Sequence, residues 1–319
     1  MRVLFIQFKR LGDVLMVTPA VRALKTTHPH ATLHFLVERW GLPAIQHNPL
    51  IDEIIVANHL NPLERLRKLR SSHYDVAVDF QNTPRSARWT WLSGAKTRIG
   101  FAKRWRTAFY NHPVPVPHAD TYSADEKLSL LTPLQIRSNQ SVPELYASPA
   151  DKEEANRVLD NLRTDRTRHV VAFSPVSRSH YKRWPAVHYA IVCDYLYETR
   201  DVLFLPLFGH GEAPLVEEVI ARARHPKAFL YPYTPISFGG VKVLIEHCLF
   251  YFGNDNGIRH IAIACGKPTA AIFGAINPLN WTPHGSDRHL FVGGQRNIAS
   301  ITPSQAIKMI SHLPSFTSP

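Results

Sequence analysis

Cysteine is scarce in this chain, 3 among 319 residues, and Cys193, Cys248 and Cys265 show no spacing that would clamp zinc. All three stand in apolar surroundings, which predicts inert buried thiols in a reducing compartment, not a disulfide framework. Long apolar runs are missing as well. The first run, Val3 to Phe8, is broken by Lys9-Arg10; it is too short for a secretory signal or a membrane span, and a soluble, cytoplasmic protein is expected. There is no Asp-x-Asp pair to take a divalent cation and no His/Cys cluster, so no metal and no cofactor are expected. The absence of Gly-x-x-x-x-Gly-Lys-[Ser/Thr] excludes P-loop chemistry. Acidic residues are also short, 25 against 37 Lys and Arg, which leaves a net charge of +12. The partners expected of such a surface are anionic: phosphates, nucleic acid or a membrane surface.

What is present is an alternation of short apolar runs with amphipathic segments. The length exceeds one comfortable core and predicts two domains. Strands are expected at Val3–Phe8, Thr32–Val37, Ile54–Val56 and Val76–Phe80. A helix is expected over Val14–Lys25, restarting or kinking at Thr18-Pro19 with Thr18 as cap. The Pro/His/Ser-rich stretch from His112 to about Pro149, with Pro113-Val114-Pro115-Val116-Pro117, reads as an extended crossing region. Beyond it the alternation resumes: helix Ala150–Leu162, strand His169–Ser174, helix Ala186–Glu198, strand Val202–Leu207, helix Ala213–Ala223, strand Ala228–Tyr231, helix Val241–His247, strands Leu249–Phe252 and Thr269–Phe273, and a closing helix Ser304–Ser311. The βαβ rhythm predicts an α/β protein of two doubly wound, Rossmann-like domains, 1–150 and 151–319, with ligands outside the strand carboxyl ends.

Two glycine-anchored loops stand at such ends, one in each half. The first is Arg10-Leu11-Gly12-Asp13-Val14-Leu15 after the first strand; the second is Gly253-Asn254-Asp255-Asn256-Gly257 after Leu249–Phe252. Strand, glycine turn and helix N-terminus together aim backbone N–H groups and a helix dipole at an anion. One aspartate in each loop suggests a site assembled between two domains.

Arg10 through Lys25 resembles the N-terminal signature of the bacterial heptosyltransferases, glycosyltransferase family 9. Gly253-Asn254-Asp255-Asn256-Gly257-Ile258-Arg259-His260-Ile261-Ala262, with Gly266-Lys267-Pro268-Thr269 and Phe273-Gly274, resembles their nucleotide-sugar signature. Ser174-Pro175 with Lys182-Arg183-Trp184-Pro185 resembles their phosphate-binding segment. The resemblance spans most of the chain and implies a GT-B fold, with an N-terminal acceptor domain and a C-terminal donor domain facing a central cleft. The implied reaction is inverting, metal-independent transfer of heptose from ADP-heptose to a lipopolysaccharide inner-core acceptor (lipid A–Kdo or a heptosylated core), at the inner face of the inner membrane. The chain departs from the family in two places. Asn256 stands where a small hydroxyl residue is usual, and Ile258-Arg259 replaces proline or serine followed by methionine.

On that reading Asp13 is the base that takes the acceptor proton; its alternative is the N-cap of the first helix. Lys182 offsets charge on the leaving diphosphate, or is an ordinary surface lysine. Ser177 and Arg178 are secondary phosphate contacts. Asp255 accepts from sugar hydroxyls, or caps its helix, while backbone N–H groups of Asn256 and Gly257 meet the diphosphate. His260 touches phosphate or is a satisfied core histidine, Arg259 adds a cation near the diphosphate or faces solvent, and Glu212 holds the ribose. Lys9, Arg10 and Gly12 are assigned to the acceptor. So are Arg104 and Arg106, from a basic-aromatic run (Arg85, Arg88, Trp89, Trp91, Lys96, Arg98, Lys103, Arg104, Trp105, Arg106) suited to an anionic glycolipid or an anionic leaflet; the plainer reading is a solvated rim of helices. No nucleic-acid module appears, and no nucleic-acid partner is expected. Two further readings remain: a nucleotide-sugar or polyanion binding protein on the same fold without turnover, and an epimerase on a GT-B scaffold, which should lack the Arg10–Lys25 signature.

Overall fold

The computed structural model describes residues 1–8, 10–162, 168–294 and 297–314. The chain divides into two compact units, Met1–Tyr146 and Ala147–Pro319. The first contains, in order, β1 (Arg2–Ile6), α1 (Leu11–Leu15), α2 (Thr18–Thr27), β2 (Thr32–Val37), β3 (Glu53–Val56), α3 (Pro62–Ser71), β4 (Val76–Asp79), α4 (Pro84–Leu92), β5 (Thr97–Phe101), β6 (His112–Val114) and α5 (Ser123–Ser129). All six strands are parallel, in the order β3-β2-β1-β4-β5-β6. This is the Rossmann order, and chain direction across the sheet reverses between β1 and β4. Val3, Leu4, Phe5 and Ile6 of β1 are fully buried, as a central strand covered on both faces requires.

The second unit contains α6 (Pro149–Asn161), β7 (His169–Ser174), α7 (Ala186–Arg200), β8 (Val202–Pro206), α8 (Ala213–Arg222), α9 (Phe238–Glu246), β9 (Tyr251–Asn254), α10 (Gly257–Ala264), β10 (Thr269–Phe273), β11 (His289–Gly293) and α11 (Pro303–Ile310). Its parallel sheet runs β11-β10-β9-β7-β8, the flavodoxin-like order, whose switch point lies between β7 and β9. Phe173 at the centre of the core meets Tyr189, Phe204 and Phe229 edge-on, and the Trp184 indole N–H donates to the Ile301 carbonyl at 2.9 Å. Both units are thus Rossmann-like.

Most expected elements form within a residue or two of their expected ends. Ala228–Tyr231 does not become a strand. Pro226–Ala228 is a short 3-10 turn, and only Phe229 makes a single bridge to Phe204. Pro226 and Pro232 flank the run and withhold ladder donors. The break at Thr18-Pro19 is real, but Val17, not Thr18, occupies the cap position of α2. The Thr18 hydroxyl is engaged otherwise: it donates to the Leu15 carbonyl and accepts from the Glu144 N–H, both at 2.8 Å. The proline-rich stretch contributes an edge strand, β6, where proline costs no ladder bond on the open side. All three cysteines are free, and burial pushes the Cys248 and Cys265 thiols up to about 12. Among the described residues no helix is long and apolar enough to cross a membrane.

Candidate functional site

In the second unit several of the candidate residues collect at the switch point between β7 and β9. Ser174 closes β7 and pairs with Gly253 of β9. A Cβ at Gly253 would lie 2.2 Å from the Ser174 carbonyl oxygen, so only glycine lets the strands approach this closely. Two asparagines then pin the loop leaving β7. Asn254 donates to the Pro175 carbonyl at 2.7 Å and accepts from the Tyr189 hydroxyl at 2.8 Å. Asn256 donates to Ser174 Oγ at 3.0 Å and to the Val176 carbonyl at 2.9 Å, and its Oδ1 accepts from the N–H groups of Ile258 and Arg259. Asn256 is therefore the cap of α10. An amide serves there better than a hydroxyl because it caps the helix and ties down a second loop at once. Its side chain is fully spent on that task.

Asp255, freed from capping, sits between charges. Its Oδ2 is 3.9 Å from Lys182 Nζ, and its Oδ1 is 3.7 Å from Arg259 Nη1 and 3.9 Å from His260 Nε2. Oδ1 is buried and makes no hydrogen bond among the described residues. Burial raises the Asp255 pKa, while Arg259 and then Lys182 pull it down. Arg259 does not face solvent: it is 0% exposed and donates to the Trp281 carbonyl at 2.9 Å and to Thr282 Oγ1 at 2.8 Å. His260 is buried too, yet its Nδ1 lacks a hydrogen-bond partner among the described residues, unlike the satisfied core histidine of the alternative reading. Burial, helped by Arg259 and Lys182, holds its pKa down to about 3. It can meet a phosphate only as a neutral donor.

Lys182 ends the 3-10 turn His180–Lys182, with its side chain 26% exposed. The loop before it is folded by Arg183, whose Nε donates to the Ser177 carbonyl at 2.6 Å. Ser177 is buried and Arg178 exposed, so of the two only Arg178 projects a charge. Glu212 follows β8; its Oε2 accepts from the Gly209 N–H at 2.8 Å and closes the Gly209-His210-Gly211 turn. One carboxylate oxygen is thus committed to the fold.

In the first unit the loops after β1 and β4 occupy that sheet's own switch point, bridged by Gln81, whose Oε1 accepts from the Phe8 N–H at 2.9 Å. Gly12 and Asp13 lie inside the five-residue α1, and its cap position is Arg10, without a side-chain cap bond. Asp13 is therefore not the cap. It is half-buried, and no hydrogen bond or ion pair from the described residues reaches its carboxylate. Arg10 is exposed; Lys9 lies outside the described residues.

Beneath the basic segment, Asp79 is fully buried and accepts from the Tyr110 hydroxyl at 2.8 Å and from the N–H groups of Gln81 and Asn82. Burial pushes its pKa up to about 6. Arg106 Nε donates to Asn82 Oδ1 at 3.3 Å, which ties the 3-10 segment Arg104–Phe109 to this network. The basic-aromatic run is not one rim of helices: it spans α4, β5 and this segment. Arg85 pairs with Glu38, Lys96 with Asp75 at 3.2 Å, and Arg98 is spent on the Phe109 and Ala95 carbonyls. Lys103, Arg104 and Trp105 stay exposed, Trp105 at 57%.

Sequence reasoning missed the Trp281–Thr282 segment and the pinning by Asn254 and Arg183. Pro278 and Pro283, following Phe273-Gly274, were the available signal of a constrained loop there. The sequence model of glycosyltransferase family 9 (heptosyltransferase) matches residues 63–304. Lipopolysaccharide heptosyltransferase 3 of Escherichia coli is 25% identical over 303 residues, covering 89% of this chain and 86% of that protein. Among solved structures, a family 9 glycosyltransferase from Veillonella parvula superposes with a TM-score of 0.83 at 18% identity, covering 97% of this chain and 96% of that one. The ADP-heptose lps heptosyltransferase II of E. coli gives 0.77 at 20% identity, with 98% of each chain covered. The fold is the GT-B type, and the chain belongs to glycosyltransferase family 9.

Proposed function

We propose that this family 9 glycosyltransferase moves a heptose from ADP-heptose to an anionic lipopolysaccharide inner-core acceptor, with inversion and without a metal. The observation that carries the reading is the Lys182–Asp255 pair at the switch point of the second sheet, 3.9 Å apart and flanked by a helix N-terminus. A cation and amide donors suit a diphosphate, and a carboxylate suits sugar hydroxyls. The donor named for one similar structure, ADP-heptose, has both parts. In the reaction the acceptor oxygen bonds to the anomeric carbon as the bond to the diphosphate breaks, and ADP leaves. Asp13 accepts the hydroxyl proton, and Lys182 offsets the charge that builds on the departing diphosphate. Arg178 and the N–H groups of Asn256 and Gly257 add donor contacts, and the free oxygen of Glu212 holds the ribose. Calorimetric titration tests the donor half: ADP should bind more tightly than UDP or GDP, and equal or absent binding of all three would contradict it.

The acceptor half is assigned to the first unit: Arg10 and Gly12, the adjoining Lys9, and Arg104 and Arg106, with Lys103 and Trp105 against an anionic membrane surface. Replacing Arg104 and Arg106 by serine should raise the acceptor KM and weaken binding to anionic vesicles, while ADP affinity stays unchanged. Both losses should shrink with salt, since exposed charges are screened beyond about 8 Å at physiological ionic strength. Lost ADP affinity with an unchanged acceptor KM would reverse the assignment.

His260 supplies a pH prediction. Its folded pKa of about 3 lies below the ordinary 6.5. As pH falls through that interval the unfolded chain takes up a proton that the native state refuses, so stability drops. His260→Gln should flatten this part of the stability curve and leave the pH dependence of ADP binding between about pH 5 and 8 as it was. A slope in ADP binding that vanishes in the variant would mean that His260 charges in the native protein.

A further inference from the structure

Arg259 has no part in the chemistry just described, yet it is among the largest fully buried side chains of the described residues. Its guanidinium is fixed by Trp281 and Thr282 and lies over the Phe273 ring, 5.1 Å from the centroid. A guanidinium does not shed its charge, and a buried one requires a counter-charge. Asp255 Oδ1, at 3.7 Å, provides it. The other oxygen of the same carboxylate faces Lys182 at 3.9 Å. One carboxylate therefore lies between two cations, with neutral His260 beside it.

The shared carboxylate bears on Lys182. With Arg259 absent, Lys182 and Asp255 would form a neutral pair. A lysine drawn toward a diphosphate would then strand a buried carboxylate, which is costly. With Arg259 in place, Asp255 keeps a counter-ion whatever Lys182 does.

We propose that Arg259 is a positioning residue, which neutralises Asp255 from the protein side and so frees Lys182 for an anionic donor diphosphate. The proposal rests on the nucleotide-diphosphate reading above. The balance at Asp255 agrees with it: of the two cations that lower the Asp255 pKa, Arg259 acts more strongly than Lys182.

The test is a double-mutant cycle read by calorimetry with ADP, on protein shown to be folded by circular dichroism. Arg259→Met should weaken ADP binding at least fivefold, because Lys182 is then held by Asp255; Arg259→Lys should recover part of the loss. Asp255→Asn alone should change ADP affinity less than twofold. In the Arg259→Met background, Asp255→Asn should restore binding, because the carboxylate that holds Lys182 is gone. A merely structural role, through the Trp281–Thr282 segment, would leave the double variant as weak as Arg259→Met, and that result overturns the proposal. So does an Arg259→Met affinity within twofold of wild type. If position 259 tolerates no change, Asp255→Asn alone decides: tightening beyond fivefold would show that Asp255 restrains Lys182 despite Arg259, and an unchanged affinity supports the proposal. Failure of the wild-type protein to bind ADP would instead refute the donor reading on which the proposal stands.

Discussion

Asp13→Asn is expected to fold, to bind ADP as the wild type does, and to transfer sugar ~10²–10⁴-fold more slowly, the range for loss of a positioned general base. Its setting motivates this. Asp13 is the third residue of α1, does not cap it, and has a half-buried carboxylate that no described residue engages. A purely structural aspartate would be spent on backbone N–H groups, as Asp79 at the end of β4 is on those of Gln81 and Asn82. Asparagine preserves shape and removes the basic oxygen. The loss should therefore fall on kcat, with little change in the melting temperature. Turnover near the wild-type rate, measured at saturating donor and acceptor, would remove Asp13 from the proton transfer.

Lys182→Ala should slow transfer by ~10²–10³, the usual cost of removing one group that stabilises developing negative charge, and should also weaken ADP binding. Lys182→Arg should retain part of both, since charge matters here more than shape. The fold should tolerate the loss, because Asp255 keeps Arg259 as its counter-ion at 3.7 Å. That separation of function from stability is itself informative. A large fall in melting temperature with unchanged ADP affinity would make Lys182 a structural partner of Asp255 and nothing more.

The strands were legible because a parallel sheet covered on both faces demands short, predominantly apolar runs, and β1, β7 and β10 supply them. Ala228–Tyr231 has the same apolar character but stands between prolines, so composition misled where backbone donors decided the outcome. The second glycine loop also announced itself; that Lys182 lies 3.9 Å from Asp255 there was not read from the sequence. Which residue caps α10 was not legible. Aspartate and asparagine cap equally well, and the choice of Asn256 follows from its second duty toward Ser174 and Val176, across a strand pairing that local sequence does not encode. The burial of Arg259 was hidden for a similar reason. An arginine in the first turn of a helix is ordinarily exposed, and here the return of Trp281 and Thr282 helps enclose it. In the basic run, charge counting could not show that Arg85, Lys96 and Arg98 are consumed by Glu38, Asp75 and backbone carbonyls.

The most direct measurement is mass-spectrometric product analysis of purified protein given a panel of nucleotide sugars and a lipid A–Kdo or heptosylated core acceptor. A single heptose added from ADP-heptose, with ADP released in equal amount and the product absent with Asp13→Asn, is the predicted result. Binding of ADP-heptose with no transfer to any of these acceptors, or transfer only from a different nucleotide sugar, would contradict it.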